Sequence, residues 1–149
     1  MSDDYTYVLN PKTMVYGQPA APAAPGELGI CYVAGPMRSY PYFNMAAFDA
    51  AEGRLRARGW GVINPVSTDI AYYGRAMFEE NPLGDVELAK ALHGFNIRWA
   101  MARNCENIAL HADALYMLRG WQDSEGALTE RSLGRMLNLE IMYESGWDS

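Results

Sequence analysis

The chain has 149 residues, half of them apolar, which is enough for one domain to bury a sizeable core without disulfide staples. A net charge of −6 with no Lys/Arg cluster argues against a duplex nucleic-acid partner, although a single nucleotide needs only one small anion site. Two isolated cysteines are too few for a disulfide framework, no run reaches the length of a membrane span, and the acidic N-terminus lacks signal-peptide character, so a cytoplasmic setting without membrane contact is expected.

Residues 1–28 are rich in proline, with an Ala/Pro run from Pro19 to Pro25, and read as a flexible N-terminal arm ahead of a single domain over 29–149. Ile30 to Ala34 is an apolar run ending at Gly35-Pro36, as a buried strand entering a loop would. From Asn44 to Arg58, Ala47, Phe48, Ala51 and Leu55 recur at helical spacing, with Gly59 just past the end. Trp60 to Asn64 predicts a second strand closed by Pro65. Ser67 to Pro82 has no clean period and reads as a loop over the strand ends, with at most a short helix. Leu83–Ala91 and Phe95–Leu110 predict helices, the second with a stripe of Ile97, Met101, Cys105 and Ile108. Ala112–Leu118 is a third strand, Leu128–Leu137 a helix and Glu140–Tyr143 a last short strand. Strands alternating with helices imply parallel pairing through right-handed crossovers. The expected fold is therefore an α/β three-layer sandwich with a flavodoxin/Rossmann-like parallel sheet of about four to five strands. Ligands of such sheets bind at the carboxyl ends of the strands, where Gly35, Asn64 and Gly120 fall.

The stretch from Trp121 to Glu130 carries the most chemistry. It sets Ser124, Gly126 and Glu130 at a strand-to-helix junction. Helix-start N–H groups lack partners and attract anions, Ser124 adds a hydroxyl, and Gly126 lets a ligand approach the backbone. Such a junction suits a phosphorylated sugar, with Glu130 about one turn further in to face it. Each residue also has a plainer reading. Glu130 can be a first-turn acid favoured by the helix dipole, Ser124 an N-cap, and Arg38 a solvated side chain. Trp121 is either a core anchor or a base-stacking wall. Asn64 either ends a strand or orders the site, and Tyr40, Tyr42 and Phe43 either stack on a base or cover a core edge. His93 and His111 show no metal-ligand spacing, and no metal is expected.

Three segments can be set around one crevice: Tyr32 through Gly35-Pro36-Met37-Arg38, Ile63-Asn64-Pro65, and Gly120-Trp121 with Ser124, Gly126 and Glu130. Together with Tyr-Pro, Phe-Asn, Ala-Asp-Ala and Ser-x-Gly-Ala, this set resembles the nucleoside 2-deoxyribosyltransferase superfamily over about residues 29–144. Its nearest likeness is to a phage and bacterial branch of uncharacterised domains, and it is also similar to the 2′-deoxynucleoside 5′-monophosphate N-glycosidases. The resemblance implies that Glu130 attacks C1′ of a sugar, that Tyr32 lies beside it, and that Ser124, Gly126 and the Gly35–Arg38 loop hold a 5′-phosphate. Arg38 offers a planar fork of donors for that phosphate. The resemblance further implies no cofactor and a homo-oligomer, a dimer or higher. One position departs from the pattern. The superfamily has a helix aspartate eight residues before the aspartate of Ala-Asp-Ala, and here that position is Cys105. Either Glu106, or an acid such as Asp69, takes that role, or the protein binds a nucleotide without turning it over. A structural oligomer with a vestigial crevice is a third alternative.

Overall fold

Most regular elements begin or end on a residue whose chemistry requires it. The computed structural model describes residues 7–10, 15–19 and 24–144. Inside the N-terminal segment, β1 (Tyr7–Asn10) and β2 (Val15–Pro19) pair antiparallel as a ribbon separate from the main sheet. Residues 24–28 of the expected arm lead into the domain, where the Leu28 N–H donates to Gly59 O at 3.1 Å, and the rest of the arm lies outside the described residues. The domain proper starts with β3 (Ile30–Ala34), buried along its whole length. A short 3-10 turn, Pro41–Asn44, leads into α1 (Met45–Ala57), followed by β4 (Gly61–Ile63).

The segment 67–82 is a correction to the sequence reading, because it belongs largely to helices. Asn64 accepts from the Val66 N–H at 2.9 Å and Pro65 takes the first helical position, so Asn64-Pro65 starts α2 (Pro65–Tyr73) as well as ending a strand. The buried face of this helix, Pro65, Val66, Asp69 and Tyr73, includes an acid, and its exposed side includes Ala71, so the residue types do not reveal the period. The short α3 (Ala76–Glu79) follows. Asp85 caps α4 (Val86–His93) and Asn96 caps α5 (Ile97–His111) through bonds from first-turn N–H groups. After β5 (Ala114–Met117) and a 3-10 turn over Trp121–Asp123, Ser124 caps α6 (Glu125–Met136), three residues earlier than expected, and β6 (Glu140–Tyr143) closes the sheet.

The four strands are all parallel in the order β4-β3-β5-β6. Side chains alternate across them. Cys31, Val33, Val62, Ala114 and Tyr116 pack under α1 to α4 on one face, while Tyr32, Ala34, Ile63, Leu115 and Met117 pack with α5 and α6 on the other. This gives the expected three layers. Asp113 accepts from the Ile30 N–H at 2.9 Å, pinning the amino-terminal edge of the sheet rather than the ligand end. Helix α5 buries Ala100, Arg103, Asn104 and Ile108, a stripe turned by about one residue from the expected Ile97, Met101 and Cys105. Among the described residues no helix is long and apolar enough to cross a membrane.

Candidate functional site

The chain leaves β3 for β4 on one side and returns to β5 on the other, so the loops after β3 and β5 diverge and open a crevice between them. A cavity of about 750 Å³ occupies that position. It is lined by the Gly35–Tyr40 loop, by Asp69 of α2, by Ala100, Met101 and Asn104 of α5, and by Asp123 through Ala127 with Thr129 and Glu130. Its size falls in the ordinary range for small-molecule sites.

Glu130 is the buried carboxylate of this cavity. The Tyr32 hydroxyl, wholly buried at the centre of β3, donates to Glu130 Oε2 at 2.7 Å. Burial pushes the Glu130 carboxyl up to about 7. The hydrogen bond from Tyr32 and the neighbouring Asn104 amide oppose that rise by favouring the charged form, and the Asp69 charge adds to it. Burial, then the Glu130 charge, holds the Tyr32 phenol well above its usual range, so it stays a donor. A carboxylate that changes charge near neutrality inside a ligand-sized cavity is suited to nucleophilic or acid–base work.

A second carboxylate shares the cavity. Asp69 projects from α2 and forms a buried ion pair in which Arg103 Nη2 bonds its Oδ1. Arg103 Nε and Nη1 have no partner, so the contact is single-pronged and leaves Asp69 Oδ2 free of the guanidinium. The Tyr72 ring lies 5.0 Å from the guanidinium carbon. Burial raises Asp69 to about 6, although the Arg103 charge pulls it down. Neighbouring residues of α5 thus attend to one carboxylate each, Arg103 to Asp69 and Asn104 to Glu130.

The remaining wall can receive an anion. Ser124 Oγ accepts from the Ala127 N–H at 3.2 Å, and the first main-chain helical bond runs from Leu128 to Ser124. The Glu125 and Gly126 N–H groups therefore have no helical partner. A side chain at Gly126 would meet nothing closer than Ser124 Oγ at 3.9 Å, so the backbone there is open to the cavity. Gly35 has a different role. A Cβ there would fall 2.7 Å from Leu118, so its absence lets the chain pack closely where β3 and β5 end, before the two loops diverge. Arg38 lies exposed on the same loop, at the cavity edge. Among the described residues no three His, Cys, Asp or Glu side chains converge as metal ligands do.

A family model described as "Domain of unknown function (DUF4406)" matches residues 30–143, from the first residue of β3 to the last of β6. The chain belongs to the DUF4406 family. No curated protein and no solved structure matches it.

In this DUF4406 chain the cavity brings together Gly35, Pro36, Met37, Arg38, Asp69, Ser124, Gly126 and Glu130, with Tyr32 behind Glu130. Three expected site residues lie elsewhere. Trp121 is buried in the α6-side core, 5.7 Å from the Tyr143 ring and under Arg131 at 4.7 Å, so it is a core anchor rather than a stacking wall. Asn64 caps α2 and donates to Asp49 and Glu52 of α1 at 3.0 and 3.1 Å, so it reaches the cavity only by positioning the helix that carries Asp69. Glu106 sits two residues beyond Asn104, about 200° further round α5, and does not line the cavity. Cys105 is half-buried between them. Sequence reasoning missed Arg103 and Asn104. A charged residue beside an amide on an otherwise apolar buried stripe was the available signal.

Proposed function

We propose that the crevice binds a (deoxy)nucleoside 5′-monophosphate and that Glu130 opens its N-glycosidic bond. The observation that carries this reading is a buried carboxylate, hydrogen-bonded to a buried tyrosine, one helical turn beyond an open helix start. The relation of DUF4406 to the nucleoside 2-deoxyribosyltransferase-like fold supports it. The 5′-phosphate meets the Glu125 and Gly126 N–H groups, Ser124 and Arg38. A Glu130 oxygen then bonds C1′ as the C1′–N bond breaks and its electron pair leaves with the base. A proton from Asp69 neutralises that base. Asp69 rather than Glu106 fills this role because it shares the cavity with Glu130. In the second step water, or the nitrogen of another base, bonds C1′ as the C1′–O bond to Glu130 breaks and its electron pair returns to the carboxylate, while Asp69 takes the proton released by the attacking group. The first acceptor makes a hydrolase and the second a transferase. By the same resemblance we propose a homo-oligomer, which light scattering would size.

One observation favours a second reading, nucleotide binding without turnover. Helix α5 presents an amide, Asn104, and not an acid, next to Glu130. Chromatographic assay of the protein against common and 5-substituted nucleoside 5′-monophosphates, with and without an acceptor base, separates the two. Free base or base exchange that vanishes in Glu130→Ala supports the enzyme. Tight binding of a nucleotide that is never cleaved supports the binder.

A further inference from the structure

The hydrogen-bonding side chains that line the cavity are unevenly placed. They come from α5 and the start of α6 (Asn104, Asp123 to Glu125, Thr129 and Glu130), from the loop after β3 (Arg38 to Tyr40), and from Asp69 of α2. A second group, Phe43, Met77, Phe78, Val86, Phe95 and Ile97, comes from the turn before α1, from α3, and from both ends of α4 up to the start of α5. Phe43, Met77, Phe78, Val86 and Phe95 belong to one apolar cluster, with the Phe43 and Phe78 rings edge-on at 5.6 Å. None of these six carries a hydrogen-bonding side chain. Tyr40 also lines the cavity but turns its hydroxyl toward Gly120, where a Cβ would come within 2.7 Å of it.

This apolar surface is held in place at some conformational cost. Tyr42, Phe43 and Asn44 have φ of 52°, 53° and 64°, three consecutive non-glycine residues in the left-handed region. Bonds from Tyr42 N–H to Asn81 O at 3.1 Å and from Phe43 N–H to Tyr40 O at 2.9 Å fix the turn. Asn44 Nδ2 donates to Pro36 O at 3.0 Å, tying the turn to the loop expected to border the phosphate. A wall fixed before the ligand arrives loses little ordering entropy on binding. The rotated stripe of α5 fits the same picture, since Ile97 and Met101 face the cavity and not the core.

We propose that this wall receives the nucleobase and selects it by bulk and apolar surface, with the Asp69 proton donor meeting the base but no side chain of the wall reading its amino or oxo groups. The inference rests on the nucleotide reading above and names its ligand class: nucleotides distinguished by ring size and alkyl substituents, with amino and oxo bases treated alike. Sites that hydrogen-bond a substrate group reject analogues lacking it by about 10⁴-fold or more, whereas apolar pockets discriminate by roughly 10- to 200-fold per methylene.

Calorimetric titration of the Glu130→Gln protein, which holds ligands uncleaved, tests this with matched pairs. Deoxycytidine and deoxyuridine 5′-monophosphates should bind within about threefold of each other, as should the adenine and hypoxanthine pair, because neither exchange changes the apolar area by a methylene. Thymidine 5′-monophosphate should bind at least about fourfold more tightly than deoxyuridine 5′-monophosphate, and about tenfold or more where the methyl is fully enclosed. 2-Deoxyribose 5-phosphate, which lacks a base, should bind at least about tenfold more weakly than any of these if a buried base contributes even a small part of its apolar area. In Ile97→Thr the nucleotides should weaken several-fold while the sugar phosphate changes less. A hundredfold split within an amino/oxo pair would overturn the proposal and leave the nucleotide reading intact. So would sugar phosphate binding as tightly as the nucleotides, or an Ile97→Thr loss shared equally by all ligands. Failure of every ligand, sugar phosphate included, would instead sink the nucleotide reading and this inference with it.

Discussion

Replacing Glu130 by Gln should make the protein more stable at neutral and alkaline pH while abolishing turnover. Burial pushes the carboxyl up to about 7, from an ordinary value of 4.5. Its folded pKa is raised, so the folded state binds the proton more tightly than the unfolded chain. Stability from this group is fully present below about pH 4.5 and is lost as pH rises through about 7. At 1.36 kcal/mol per unit the full loss amounts to roughly 3 kcal/mol. A neutral amide does not titrate and escapes that loss. It keeps an acceptor for the Tyr32 hydroxyl and gains a donor near the Asn104 Oδ1, which has no partner. Urea denaturation of both proteins across the range measures the effect. The variant's advantage should widen by roughly 2 to 3 kcal/mol between about pH 5 and pH 8. Two stability curves that run parallel over that range would refute the claim that a buried, titrating Glu130 charge opposes folding.

Three further expectations follow from the same geometry. Arg103→Met leaves Asp69 buried without its cation and should cost about 3 to 5 kcal/mol, most of it recovered in the Asp69→Asn/Arg103→Met double variant, as read by denaturant midpoints. Gly126→Ala should raise the melting temperature, since alanine is the better helix former by about 1 kcal/mol and its methyl meets only atoms near 4 Å, yet weaken nucleotide 5′-monophosphates in the same thermal-shift series. A loss of melting temperature would contradict the open space seen there. Trp121→Phe should lower stability through lost packing with Tyr143 and Arg131 but leave nucleotide affinity within about twofold, since a contact absent from the site contributes no binding energy. A tenfold loss of affinity would return Trp121 to the site.

The parts legible in the sequence were those that depend on neighbours along the chain. Ile30–Ala34 and Ala114–Met117 read as buried strands because both their faces are covered, which makes the run continuously apolar. Ser124 and Glu130 read as a pair because one helix carries both. Asp69 was misplaced on a loop because α2 is short and its one buried face carries an acid among the apolar residues, and its start signal, Asn64-Pro65, is also a turn signal. Arg103 and Asn104 were missed for another reason. Which of residues 104 to 106 faces Glu130 depends on the rotation of α5, and that rotation is set by packing against α6 and the sheet. An apolar stripe marks the face a helix hides from water, and here part of that stripe lines a cavity instead of a core.

The strand order has a consequence for how the protein comes into being. The Tyr32–Glu130 bond joins residues 98 positions apart, and the Ile30–Asp113 bond spans 83. Neither can form until β5 has paired beside β3, and such distant closures carry a large entropic cost before their contacts repay it. During synthesis β3, α1, β4 and α2 are all made before either β5 or α6 exists, so Tyr32, Ala34 and Ile63 wait without the partners that cover them. The crevice is thus among the last features to assemble, and a ribosome that stalls before α6 leaves a half-sheet with one apolar face bare.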